Sequence, residues 1–159
     1  MATATVEGTP AANTSEAAAK VIASSTKWAA GAAIVPVPYL DLLAIGAVQA
    51  QMVHQLAKIY GQDSSEEVVK GLITALLGTL APAMVSTGVA GSSLKLVPGV
   101  GTLWGTVSMA VFASAATYAI GKIFAMHFQN GGTLSSFNPE AVQEDLEREF
   151  SKQAQQAKK

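Results

Sequence analysis

The chain has 159 residues, half of them apolar and only 13% charged, with a formal net charge of −1. Such a length suits one domain, and the charge falls well below the roughly 25% of an ordinary soluble domain, so part of the surface must be hidden in an oligomer or turned to lipid. There is no basic excess to grip phosphates, which argues against nucleic acid, and with no cysteine there are no disulfides, thiolate chemistry or Cys-ligated metals.

Met1 to Asn13 is rich in Ala and Thr and carries one acid and no base. It fits neither a secretory signal nor an Arg-rich transit peptide, so the expectation is a disordered lead over 1–14 on a protein kept on the cytoplasmic side. Ser15 then reads as an N-cap, with Glu16 in the first turn of a helix that runs to about Ile34. Pro36 and Pro38 end it. A second helix is predicted from about Tyr39 to Tyr60. Leu42, Ile45, Met52, Leu56 and Ile59 form one apolar stripe with Gln49 inside it, while Gln51, His54, Gln55 and Lys58 take the other face. Asp41, next to the proline pair, can bond the free amides of the helix start; a contact with Gln49 or with a partner helix is the functional alternative. Gly61 closes this helix.

Ser64 and Glu67 have the spacing of a capping box. After them come 24 uncharged residues between Lys70 and Lys95 and 26 between Lys95 and Lys122. Each stretch can cross a bilayer as a helix, which takes about 20 residues. The apolar turn holding Pro98, Gly99 and Gly101 separates them, so a helical hairpin over about 68–127 is expected. Small residues recur every fourth position: Gly71, Ala75, Thr79, Ala83, Thr87 and Gly91 in the first stretch, and Gly101, Gly105, Ala113, Thr117, Gly121 and Ala125 in the second. Such stripes let helix backbones approach closely. Leu72, Leu76, Leu80, Val107, Val111 and Phe112 take the opposite faces. Asn130, Gly131 and Gly132 break the second helix. Asn138, Pro139 and Glu140 are then expected to open a last helix, in a single helical domain over 15–152 with a frayed tail over 153–159.

No catalytic motif survives inspection. The glycines at 99, 101 and 105 follow a proline and a helix, where a dinucleotide loop must follow a strand, and no phosphate-binding G-x-x-x-x-G-K-[ST] occurs. The two histidines, His54 and His127, lie on different helices with no acid at helical spacing, so no metal site is expected. The serines show no neighbouring histidine in sequence and no elbow motif. Glu140, Glu144, Asp145, Glu147 and Glu149 read as a solvated face. No cofactor is expected, and the chain is not expected to be an enzyme.

Several segments in order resemble a known family: Ile34-Val-Pro-Val-Pro-Tyr-Leu-Asp41, Gln49 to Gly61, Leu96-Val-Pro-Gly-Val-Gly101-Thr, Gly131-Gly-Thr-Leu, and Asn138-Pro-Glu140. Over about residues 15 to 150 they are similar to the YcjF-type, GTPase-associated domain of unknown function 697. The resemblance implies a helical bacterial domain, found fused to or beside Era-like GTPases and in many cases membrane-bound, for which no catalytic residues are established. This chain carries no GTPase domain, so a GTPase partner is implied only in trans.

The combined expectation is a membrane-associated helical interaction module, self-associating through its small-residue stripes and bound to membrane lipid. Lys58, Lys70 and Lys122 flank the hairpin, favouring an inner-membrane location with both termini in the cytoplasm. The alternatives are a cytoplasmic homo-oligomeric bundle or a carrier of lipid or another small molecule. Pro36, Pro38, Asp41, Gln49, Pro98, Gly99, Gly101 and Gly105 are the candidate structural or partner-contact residues.

Overall fold

The computed structural model describes residues 10–32, 40–86 and 100–157, with side chains for 11–32, 44–80, 82 and 109–157. The described residues form five helices and no strand: α1 Pro10–Ala32, α2 Leu40–Ile59, α3 Glu66–Ser86, α4 Val100–Gln129 and α5 Gln143–Gln156. The all-α class and the five helices match expectation. Of the candidate residues, Pro36, Pro38, Pro98 and Gly99 lie outside the described residues.

Four helix ends differ from the sequence reading. α1 starts at Pro10 rather than at a Ser15 cap. Proline has a helical φ already set at a first position, and Ala11 and Ala12 propagate the helix, leaving Glu16 to pair with Lys20 at 2.7 Å. In α3, the Ser64 hydroxyl meets His54 Nδ1 at 2.7 Å instead of capping toward Glu67. Asn138 caps a turn and not a helix: its Oδ1 accepts from the backbone N–H groups of Glu140 and Ala141 at 3.0 and 3.4 Å. Val142 then leaves the helical region (φ −103°, ψ 0°), and α5 begins only at Gln143. The same helix runs to Gln156 because Ala154 is buried, so the tail expected to fray from Gln153 is partly anchored.

α4 is the central helix. Ala113, Ala116, Thr117, Ala119, Ile120 and Phe124 are all fully buried along it. Its neighbours pack in layers that set the directions of the chain. Ala29 of α1 and Ile45 of α2 cluster with Ala113, while a Cβ placed on Gly121 would lie 2.9 Å from both Ile22 Cγ1 and Met52 Sδ. Going from Ala113 to Gly121, α1 therefore runs backwards and α2 forwards. α3 starts beside the C-terminal half of α2, where Glu66 and Lys70 share a cleft with His54 and Lys58. The chain after α4 doubles back along it, from the Phe137–Phe124 stack (4.3 Å) in the turn before α5 to the Phe150–Phe112 edge contact (5.6 Å) within α5.

The two long apolar helices touch, but each packs more heavily elsewhere, α4 on α1 and α5, and α3 on α2 and α5. On α4 the small residues Ala113, Thr117 and Gly121 face inward as expected. On α3 the expectation is reversed. Gly71 and Ala75 are exposed, whereas Leu76 and Leu80, assigned to the outer face, are fully buried with Val69 and Ile73. Phe112, also assigned outward, is buried against Phe150. With α2 and α5 available to cover α3, burying its bulky stripe removes more apolar area from water than burying glycines would.

Candidate functional site

Two helix-end loops close one end of the bundle. Gly131 takes a left-handed φ of +82°, and the N–H groups of Gly131 and Gly132 donate to the carbonyls of Phe128 and His127, a glycine stop for α4. His127 Nε2 then lies 2.8 Å from the Thr133 carbonyl oxygen and 3.3 Å from Ser136 Oγ, its ring against Gly132, where no side chain fits. Thus each histidine does meet a serine in space, Ser64 at His54 and Ser136 at His127, although the sequence showed no such neighbour.

Neither pair is arranged for acyl transfer. A base needs its second nitrogen oriented by another group and the serine free to be attacked toward substrate. Among the described residues no carboxylate is hydrogen-bonded to either imidazole. His127 Nε2 facing a carbonyl must carry the proton, and so cannot accept one from Ser136. Ser136 itself is held in a turn with Thr133. Nor do the described residues contain any group of three or more His, Asp or Glu placed to hold a metal.

Two exposed acid–base pairs lie within helices, and a more buried one joins two helices. Lys70 Nζ approaches Glu66 at 2.5 Å, and this hydrogen bond, more than the charge itself, lowers the Glu66 carboxyl below its ordinary 4.5. Glu16 is lowered in the same way by Lys20. Lys122 joins α4 to α5 by meeting Glu149 at 2.9 Å.

Among the candidate residues, Gln49 is the one drawn into a described contact. It is fully buried on α2 and donates from Nε2 to Thr117 Oγ1 on α4 at 3.2 Å, across 68 positions of chain. Its Oε1 is buried with no hydrogen-bond partner among the described residues. Asp41 lies in the first turn of α2, and Gly101 and Gly105 in the opening turns of α4, away from the Gln49–Thr117 pair along the helix axes. Thr117 entered the sequence reading only as a small residue of a stripe; its hydroxyl, opposite a buried amide, is what the pattern did not reveal.

Charge is spread unevenly among the helices rather than between the ends of the bundle. On one side of the Gly121 layer lie Glu16, Lys20, Lys58, Asp63, Glu66, Glu67 and Lys70. On the other side, the described parts of α1, α2 and α4 (23–32, 40–51 and 100–120) hold only Lys27 and Asp41 and α3 has no charge beyond Lys70, but α5 lies alongside them with Glu144, Asp145, Glu147, Arg148, Glu149 and Lys152. Trp28 of α1 is 72% exposed, beside a groove of about 420 Å³ that straddles the Gly121 layer and is lined by Val21, Ser24, Ser25, Val48, Gln51 and Gln55.

The described residues form a five-helix domain with a buried Gln49–Thr117 pair joining α2 to α4. A family model described as "Domain of unknown function (DUF697)" matches residues 6–156. The chain belongs to that family. It is 38% identical over 124 residues to "Magnetosome membrane protein 22" of Magnetospirillum gryphiswaldense, an overlap covering 78% of this chain and 64% of that protein's length. No solved structure matches.

Proposed function

We propose that this chain is a membrane-associated, non-catalytic interaction module. The observation that carries the reading is α4. Its segment Met109–Gln129 is the one described helical stretch long and apolar enough to cross a membrane, in a chain whose relative is a magnetosome membrane protein. Two long stretches without charge support the same reading. The family resemblance adds a GTPase acting in trans as partner, and the exposed small residues of α3 add self-association. The inner face of the cytoplasmic membrane is the corresponding location, both termini on the cytoplasmic side.

One observation favours a second reading, a helical scaffold that keeps its apolar stretches to itself: 56% of the most apolar window of α4 is buried by the other helices. Alkaline carbonate extraction of membranes from expressing cells separates the two. The proposed module stays with the membrane pellet or requires detergent for release, and recovery of the chain in the first detergent-free supernatant sinks the proposal in favour of the scaffold.

A further inference from the structure

Among the described residues three polar side chains are buried: Ser25 of α1, Gln49 of α2 and Thr117 of α4. They lie on one level of the bundle. Toward the start of α4, Ala29, Ile45 and Ala113 cluster; toward its end, the Cβ position of Gly121 meets Ile22 and Met52. Ser25 is four residues before Ala29 and three after Ile22, Gln49 four after Ile45 and three before Met52, and Thr117 four from both Ala113 and Gly121. Such steps keep each residue on the same helix face as its flanking pair. Where α1, α2 and α4 meet, a polar layer thus lies between two apolar ones.

Other hydroxyls in these helices serve their own backbone. Thr26, Thr74, Thr79 and Ser114 each donate to a carbonyl three or four positions earlier. Thr117 Oγ1 accepts from Gln49 Nε2 of another helix at 3.2 Å. That bond carries a penalty, because Gln49 Oε1 stays buried with no partner among the described residues. A stranded buried carbonyl offsets most of what one neutral hydrogen bond contributes.

The residues around the pair discriminate weakly between alignments. α4 presents Ala113, Thr117 and Gly121 to α2 at successive turns, and Met52 is a side chain that adapts to irregular space. Sliding α2 by one turn, about 5.4 Å, again sets bulky side chains on small ones at these levels. Gln49 separates the alternatives. After a slide it faces Ala113 or Gly121, which offer no hydroxyl, and its whole amide is stranded.

We infer that the Gln49–Thr117 pair is a register key: the shape of the buried residues of α2 sets a preferred alignment on α4, and the pair excludes the alignments one turn away. A buried asparagine in a coiled-coil seam acts in the same way, giving up stability for a single packing. The key acts inside the chain, in water or in lipid, and does not depend on the membrane reading.

The chain has no cysteine, so Gln51→Cys on α2 and Gln129→Cys on α4, both at exposed positions, take a pair of spin labels. Double electron–electron resonance on the full chain, in buffer or in detergent where it requires it, is expected to give one distance. Thr117→Ser, which keeps the hydroxyl, is expected to preserve it. Gln49→Leu with Thr117→Val replaces both partners by apolar groups of nearly the same shape. This double variant is expected to stay folded by circular dichroism and to show a second distance, differing by up to about 5.4 Å, in roughly a tenth or more of the molecules. A pair that only stabilises the fold moves the melting temperature and leaves one distance. A single distance in the folded double variant therefore overturns the key. So does a double variant that fails to fold, since the pair is then needed for stability rather than alignment, and so do two distances in the labelled chain before either partner is changed.

Discussion

α3 and α4 are alike in sequence and opposite in use. Both come from long uncharged stretches, and both repeat small residues at four-residue spacing. α4 turns that stripe inward, so that Gly121 receives Ile22 and Met52. α3 turns it outward, leaving open space around the Cβ positions of Gly71 and Gly78, and buries Val69, Ile73, Leu76 and Leu80 instead. Which stripe a helix buries depends on what surrounds it. α4 is crowded by helices on several sides, and close approach gains it more contacts than bulk would; α3 lies at the edge and gains most by burying leucines on one side.

The largest effect expected from breaking this contrast is on α3. Leu76→Ala removes a fully buried side chain and is expected to cost about 2–5 kcal/mol. Its neighbour Ala75, exposed one position away, should accept Leu within about 0.5 kcal/mol. Thermal or urea unfolding followed by circular dichroism reads both. Equal losses at the two positions would mean that α3 is rotated from the orientation described.

Next in size are the contacts within α4. Gly121→Ala puts a methyl against Ile22 and Met52 and is expected to cost about 1–3 kcal/mol by overpacking, against the usual helix preference for alanine. Gly78→Ala, with nothing near its Cβ, should gain about 0.5–1 kcal/mol for that same preference. Opposite signs for one chemical change sharpen the comparison more than either value alone.

The buried amide offers a related asymmetry. Thr117→Val leaves Gln49 without its hydroxyl partner while Oε1 already has none, at an expected cost of about 1–3 kcal/mol. Adding Gln49→Leu removes the stranded group and should recover most of that loss. A double variant no more stable than Thr117→Val would show that the amide has another partner.

Much of this was legible in advance. The uncharged stretches and the Asn130–Gly131–Gly132 stop gave five helices and the end of α4, because helix termination is local chemistry, whereas the starts of α1 and α5 lay several residues from expectation. Orientation was not legible. Gly71, Ala75 and Thr79 form as regular a stripe as Val69, Ile73, Leu76 and Leu80, and a repeat of small residues does not say whether a neighbour exists to exploit it. The Asn138 turn was misread because an asparagine that caps two backbone amides looks alike in sequence whether a helix or only a turn follows. The pairing of Gln49 with Thr117 joins positions 68 apart, which no periodicity within one helix encodes.

The smallest expected effect separates the starts of the same two helices. α3 opens with Glu66 and Glu67, and α4 with no acid in its first turn. The Glu66 carboxyl is lowered from 4.5 by its hydrogen bond to Lys70 and then by that lysine's charge. A depressed acid adds stability that is present above its unfolded value and disappears as pH falls through the lowered folded value. Acidification from neutrality to below 4.5 should therefore loosen the first turn of α3 and spare that of α4. Because the pair is exposed, the change belongs to local fraying rather than to global unfolding. Amide hydrogen exchange at Val69 and Lys70, corrected for the intrinsic effect of pH, should accelerate in the wild type on acidification. In Glu66→Gln it should be faster already at neutral pH and respond less to acid; an undiminished response in that variant would assign the acid sensitivity of this turn to another group.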